Sequence, residues 1–333
     1  MIRRHIFMSA AMAAIALSGC SGGGGGDDAT PTPTPTGTAS PTPTASPSYS
    51  AFPIAAATEF VTFDATTSYT GDPATSAVTL GAAGTEMRSD RVRLAIDPSP
   101  TATTSTFVIR ENVEESRFVS TNIQTPSAVA NPEFSFRTDD ATTAGKFAQF
   151  ELLNNTVPGT VTSDAALALT RVSYGNWWRG DSTAGAKRLT YSVFGYPSVP
   201  SDLPTTGTVP YTARVVGRLI STTGATTTIS RVTGTVTLTV NFATGVADIT
   251  MALSTLPPGG GAAVPYANFT MQGSIPVGQN QFTGSFTTGS PLSGTIVGGL
   301  FGSAGEQVGV TFAASGTVGG AQQRLIGDIV GKK

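Results

Sequence analysis

The stretch Ser293-Gly294-Thr295-Ile296-Val297-Gly298-Gly299-Leu300-Phe301-Gly302-Ser303-Ala304-Gly305-Glu306-Gln307-Val308-Gly309-Val310-Thr311-Phe312 decides the fold. It reads as two β-strands joined by a tight turn, Phe301 to Glu306. Apolar residues return at Val308, Val310 and Phe312, the period of two of a half-buried strand, and the glycines stand where a chain takes positive φ or lets another backbone come close. Working outward, eight strand-like runs follow one another: Tyr211 to Ile220, Gly234 to Phe242, Val246 to Leu253, Ala267 to Ile275, Gln279 to Thr287, Gly294 to Phe301, Glu306 to Ala314 and Arg324 to Gly331. In the second, Val236, Leu238, Val240 and Phe242 alternate with Thr235, Thr237, Thr239 and Asn241. Eight short antiparallel strands can close into a barrel just wide enough to be filled by side chains, and closure removes exposed sheet edges. The outward positions carry Thr, Ser, Gln and Asn with no aromatic girdles, so the pattern is not that of a membrane-embedded barrel. The barrel is expected over residues 205–333.

Residues 51–204 hold most of the charge; from Thr205 onward only nine charged residues occur. Strand-like runs there are Glu59 to Asp64, Arg91 to Ile96, Ser105 to Arg110, Lys146 to Leu153, Ala166 to Tyr174 and Leu189 to Phe194, rich in Val, Ile, Phe and Thr. Short helices are conceivable around Ser127 to Ala130 or Asp164 to Leu169. A small β-rich domain with long loops is expected.

The N-terminus is not fold. Arg3, Arg4 and His5 precede an apolar run, Ile6 to Leu17, too short to span a bilayer as a helix. Leu17-Ser18-Gly19-Cys20 then resembles the lipobox of a bacterial lipoprotein, making 1–19 a signal peptide and Cys20, the only cysteine, the acylated first residue of the mature chain. Acyl chains anchor by about 0.8 kcal/mol per buried methylene, and Ser21 after the cysteine implies sorting to the outer membrane. Residues 20–50, five glycines and an alternating Pro/Thr tract, have little apolar surface to bury and read as a disordered stalk extending about 3.1 Å per residue where polyproline-like.

Composition excludes several functions. The formal net charge is −2, or about −4 once Arg3 and Arg4 leave with the signal, which gives no footprint for nucleic acid. A single cysteine provides no disulfide framework. The one histidine, His5, lies in the signal, so Ser-His-Asp and Cys-His catalysis and imidazole or thiolate metal sites are excluded from the mature chain. No cofactor is implied. Glu114-Glu115 and Asp139-Asp140 read as solvated loop acids, since adjacent strand residues point to opposite faces and an acid/base pair must face across a substrate. Trp177, Trp178 and Arg179 are the ligand-binding candidates: two adjacent strand indoles cannot both face one core, and Trp and Arg are the residue types that anchor interfaces. One indole is expected in the core and the other half exposed.

The closing hairpin resembles that of the β-barrel in transferrin-binding protein B and related surface lipoproteins, with Ser303 where the family usually has Pro and Val308 where it has Gly. Tyr174-Gly175-Asn176-Trp177-Trp178, Phe194-Gly195-Tyr196-Pro197 and Leu203-Pro204-Thr205-Thr206-Gly207-Thr208-Val209-Pro210-Tyr211-Thr212 resemble the family's passage from handle domain to barrel. Gly234 to Phe242, Phe282 to Phe286 and Ile326 to Lys333 resemble its second, fifth and closing strands, the last departing at Asp328 and Val330. The resemblance implies an all-β chain: signal, disordered stalk, β-rich handle domain and eight-stranded antiparallel β-barrel. It implies, further, a non-enzymatic lipoprotein held at the outer membrane, on the cell surface, capturing a protein or a small solute such as a haem or iron source. A TonB-dependent receptor and a surface lipoprotein assembly modulator would be its partners. The alternative is a structural, envelope-assembly or adhesion lipoprotein without a soluble ligand.

Overall fold

Period-two alternation becomes strand along most of the chain. The computed structural model describes residues 47–99, 104–128, 131–159, 162–258 and 261–333; the expected signal, Cys20 and the expected stalk up to residue 46 lie outside them. Nine strands form the handle: β1 (Thr58–Thr70), β2 (Thr79–Asp97), β3 (Thr106–Glu111), β4 (Glu114–Phe118), β5 (Ile123–Thr125), β6 (Glu133–Asp139), β7 (Lys146–Leu153), β8 (Val172–Asp181) and β9 (Ala186–Gly195). They make one sheet in the order β4-β3-β2-β1-β9-β8-β7-β6-β5. The sheet curls until its two ends meet over an aromatic core. Phe118 stacks on Phe150 with ring centroids 5.4 Å apart, and Phe107 lies 5.3 Å from Phe136. Such pairs add about 0.5–1.5 kcal/mol beyond the area they bury.

The barrel follows as β10 (Thr208–Thr223), β11 (Thr226–Asn241), β12 (Val246–Leu256), β13 (Val264–Ser274), β14 (Gln281–Phe286), β15 (Ser293–Phe301), β16 (Gln307–Val318) and β17 (Ala321–Lys332). It is a meander closed by β17 pairing back to β10, with Val215 opposite Ile329. Alternate residues point inward and fill the lumen: Leu238, Val240, Ile249, Met251, Met271, Phe282, Ile296, Val310, Phe312 and Ile329 are fully buried. Each such side chain stabilises by about 1.5–3 kcal/mol. The deciding hairpin turns through Ser303–Gly305, with Gly302 at φ 72° and Ala304 at φ 50°. Ala304 holds that left-handed conformation while its N–H donates to Asp202 Oδ2 at 2.8 Å.

Several expected boundaries move. The run Ala166 to Tyr174 is not one strand: Ala165–Leu167 is a 3-10 turn whose first N–H groups are capped by Asp164, through Ala166 N–H at 2.9 Å, and β8 starts only at Val172. No helix forms at Ser127–Ala128, where Ala128 bridges to Asn131; residues 129 and 130 lie outside the described segments. Strand β16 begins at Gln307 because Glu306 still belongs to the turn. The sequence reading missed β4, β5, β6 and the first half of β2.

Handle and barrel share a buried seam within the compact unit Ser46–Lys333. The barrel-facing side of the handle sheet offers Tyr69, Leu189 and Tyr191 to Ile220, Ala313 and Ile326. Gly309 on β16 leaves the space that Val193 and Val172 of the handle occupy; a Cβ there would collide with the Val193 side chain. Arg218 of β10 reaches across to Glu151 of β7 at 2.7 and 3.0 Å and takes the Tyr191 hydroxyl oxygen at 3.0 Å. Arg231 pairs with Glu133, which also accepts from the Tyr174 hydroxyl at 2.9 Å. The glycine- and alanine-rich first half of β2 is laddered to β1, with Thr67 opposite Ala83, and Arg324 of the barrel donates to its Gly81 carbonyl at 2.7 Å, so it is supported from both sides.

Candidate functional site

A filled barrel has no lumen for a solute, so the chemistry lies outside it. The most polar concavity belongs to the handle. Along the inner face of its curled sheet, alternation places Phe107 and Ile109 inward from β3 and carries the next inward position to Glu111, 2% exposed. The same face of β8 presents Trp177 and Arg179. Arg179 is buried at 6% exposure, with its guanidinium carbon 3.5 Å from the Trp177 ring centroid. Its Nε donates to Glu114 Oε2 at 2.9 Å, its Nη1 to Thr190 at 3.1 Å, and its Nη2 to Glu111. Glu111 also accepts from Arg91, Nη2 at 2.6 Å and Nε at 3.1 Å, and lies 3.3 Å from Arg188. Burial alone would push the Glu111 carboxyl up; the bond from Arg91 and the charges of Arg179 and Arg188 outweigh it and hold the group below its ordinary value.

Deeper on this face sits Asp64, fully buried, its Oδ1 accepting from Thr62 and Ser192, each at 2.7 Å. Burial pushes its carboxyl up to about 7 against those two bonds. On the other side of the sheet, in the seam, Asp328 of β17 is fully buried opposite Thr311, and among the described residues neither of its oxygens has a hydrogen-bond partner. Burial, with the negative charges of Asp64 and Glu133, raises it well above the ordinary carboxylate range.

Above Trp177 and Arg179 the handle opens into a cavity of about 570 Å³. Val113, Ser116 and Arg117 from the β3–β4 turn and β4 form one wall, and Thr138 and Lys146 from β6 and β7 form the other. Val113 stands fully exposed at the rim. The sheet fails to close here. Strands β4 and β6 approach at Phe118 and Phe136, with ring centroids 6.0 Å apart, and the cavity separates their other ends.

The predicted candidates are therefore distributed. Trp177 packs in the handle core beneath the cavity and Arg179 beside it. Trp178 points to the opposite face and is half-buried in the seam, edge-on to Phe147 at 5.8 Å, with Arg218 5.2 Å from its ring centroid. The second face of the sheet, on which Trp178 lies, is partly covered by the barrel. Glu114 joins Arg179, whereas Glu115 pairs with Arg110 at 2.7 Å and Asp139 with Arg137 at 2.8 Å. Asp140 accepts from the Thr142 hydroxyl at 2.7 Å and from the Thr142 and Thr143 N–H groups at 2.8 and 2.9 Å, bonds that lower its carboxyl. Cys20 lies outside the described residues. Sequence reasoning missed Glu111, Asp64 and Asp328, although each leaves the same signal, an acid at the next apolar position of a period-two run. Among the described residues no cluster of three or more His, Cys, Asp or Glu could hold a metal ion.

No protein-family model matches the chain, and no curated protein matches it in sequence. Among solved structures, the chain is similar to a double mutant of transferrin binding protein B from Haemophilus parasuis Hp5, at 11% identity over 84% of this chain and 76% of that one, with a TM-score of 0.35. It is similar to isotype 1 transferrin binding protein B from serogroup B Neisseria meningitidis at 14% identity and a TM-score of 0.39; the match covers 81% of this chain and 44% of the meningococcal one. The N-lobe domain of lactoferrin binding protein B from Moraxella bovis is matched at 13% identity over 60% of this chain and 79% of that one, with a TM-score of 0.28.

Proposed function

We propose that this chain is a non-enzymatic capture lipoprotein of the outer membrane, anchored through lipid on Cys20 and displayed on the cell surface at the end of its Pro/Thr stalk. The observation that carries the reading is the pairing of a filled, closed barrel with a handle left open at one end, the two joined by the Arg218–Glu151 and Arg231–Glu133 seam. A rigid body with one polar opening suits binding. Glu114, Glu115, Asp140, Lys146 and Arg179 around that opening are engaged in ion pairs, and the described residues there show no arrangement of nucleophile and base, which supports a binding role. They also include no His, Tyr, Met or Cys to ligate haem iron, so a protein is the better-supported ligand and a haem-type solute the poorer one. Iron-source proteins are the ligand class that the sequence resemblance brings, with a TonB-dependent receptor and a surface lipoprotein assembly modulator as partners. The stalk would raise the local concentration of captured ligand near such a receptor.

Protease shaving of intact cells, followed by blotting for this protein, tests the reading. Cleavage of the body from whole cells is the expected result. Survival until the outer membrane is breached would refute surface capture.

A further inference from the structure

The two ends of the body differ in chemistry. One end of the barrel carries a groove of about 280 Å³, bounded by the linker at Leu203, the β11–β12 turn at Phe242 and the β13–β14 loop at Ile275, Pro276 and Val277. No residue lining it is charged, and Val277 stands fully exposed. A lone exposed valine needs no explanation; what gives this one meaning is where the leading chain enters. The Tyr49 hydroxyl donates to Asp202 and accepts from the Val199 N–H, each at 2.9 Å, so the chain joins the body beside Pro200 and Leu203 of the groove wall. The last two residues lie at the same end. Lys333 Nζ is 5.9 Å from the Phe242 ring centroid and donates to the Ala304 carbonyl at 2.6 Å. The carboxylates there are engaged, Asp202 by Tyr49 and the Ala304 N–H, Glu306 by Arg171. The ionic opening of the handle is at the opposite end. Arg171, which holds the Tyr49 and Ser50 carbonyls, immediately precedes β8, and Gly180 near the end of that strand lines the opening. A strand of that length spans about 30 Å.

We propose that the groove end of the barrel rests on a lipid bilayer, with Val277 at the headgroup boundary and Lys332 and Lys333 beside lipid phosphates. The inference rests on the lipoprotein reading and gives it an orientation. If Cys20 is acylated, the bilayer is the surface tethered to this end of the body, and a contact too weak to hold a free protein suffices for a tethered one. The chemistry matches a membrane boundary: apolar side chains enter it, uncharged ones cost little there, and lysines are drawn to an anionic leaflet. With the groove end down, β8 carries the handle opening away from the lipid and toward solvent. Capture then faces outward because of how the body lies, and not only because the stalk is long.

The test uses the chain from residue 20 onward carrying Cys20→Ser, which cannot be acylated, so attachment through the anchor is excluded. It is floated with vesicles of phosphatidylethanolamine and phosphatidylglycerol over a series of lipid concentrations. The chain should co-float at millimolar lipid. Val277→Asp changes a fully exposed site and should weaken partition about tenfold. Val264→Asp puts the same charge at the exposed start of β13, the far end of the strand that leads into the groove loop. That distance exceeds the screening length, so partition should be unchanged. Three results would overturn the proposal: no co-flotation at millimolar lipid, no greater loss for Val277→Asp than for Val264→Asp, or a chain that ignores vesicles and sediments as a dimer that Val277→Asp dissociates. In the last case a second copy covers the groove. Failure here would leave surface capture standing, and a negative shaving experiment would leave the partition unaffected.

Discussion

Barrel and handle are both antiparallel sheets rolled around an apolar core, yet one closes and the other does not. The barrel closes because eight strands, from the short β14 to the long β10 and β11, each contribute to one continuous apolar interior. The handle runs out of row: β3 ends on Glu111, β1 carries Asp64 where an apolar residue would sit, and β8 passes from Trp177 to Arg179. Inward charge has to be paired, and pairing it takes Arg91, Arg179 and Arg188 from three strands. A sheet whose inner face turns ionic toward one end is held together at the aromatic end and left apart at the other. The opening is therefore a consequence of where the apolar pattern stops.

The strongest way to break the contrast is to separate the halves. Replacing Arg218 with Met leaves buried Glu151 with only the longer pair to Arg231 at 3.7 Å, which should cost about 3–5 kcal/mol; calorimetry should then show two transitions where the parent shows one. A single transition of unchanged midpoint would mean that the seam is not a shared element.

Acidity should act on the buried acids in opposite directions. Asp64 titrates near 3.8 when unfolded and near 7 when folded, so between those values the folded form keeps the proton that the unfolded form loses. Its contribution is full below about pH 4 and declines as pH rises to about 7, by up to roughly 4 kcal/mol. Asp328, raised as well, continues the decline in the same direction. Glu111 acts oppositely: its contribution is present above the ordinary carboxylate value and is lost as pH falls. Urea denaturation across pH 4–7 should give a flatter curve for Asp64→Asn than for the parent, and an unchanged slope would show that Asp64 is ionised in the fold.

Packing offers a finer comparison. Ile249→Val in the barrel and Ile109→Val in the handle each remove one methylene from a fully buried site, at about 0.5–1.5 kcal/mol. Equal losses would mean that the open handle is packed as tightly as the closed barrel. The smallest effect belongs to the rim, where Arg137→Ala removes a part-exposed pair with Asp139 and should change the urea midpoint by the equivalent of about 0.2–1 kcal/mol.

How much of this was written in the sequence follows from the same contrast. In the barrel, Val236, Leu238 and Val240 against Thr235, Thr237 and Thr239 announce one covered face and one free face, so strand order and closure were legible. The first half of β11, Thr226–Thr233, was not, because only Ile229 and Val232 break its polar run. In the handle both faces of β8 and β9 are covered, one by the aromatic core and one by the barrel, and two-sided burial erases alternation. That is why Trp178 could not be placed from Trp177. The glycine- and alanine-rich start of β2 has no strand signal of its own, being held by its ladder to β1 and by Arg324 of the barrel. Ala-Leu-Ala-Leu before β8 looked like strand because nothing local reveals that Asp164 caps a turn there. The opening was invisible for a different reason: its residues are ordinary, and only the failure of β4 and β6 to meet makes a site of them.

One detail at the start of the described residues bears on how force passes through the molecule. The Tyr49 hydroxyl donates to Asp202 Oδ2 at 2.9 Å and accepts from the Val199 N–H at 2.9 Å, while Arg171 holds the carbonyls of Tyr49 and Ser50 at 3.2 and 2.9 Å. Asp202 in turn takes the Ala304 N–H of the barrel hairpin, and Arg171 pairs with Glu306 at 2.6 Å. A pull along the leading segment does not peel one strand from one sheet. It arrives at a knot tied to β8, to the linker between the sheets and to the β15–β16 turn together, and loads handle and barrel as a single piece.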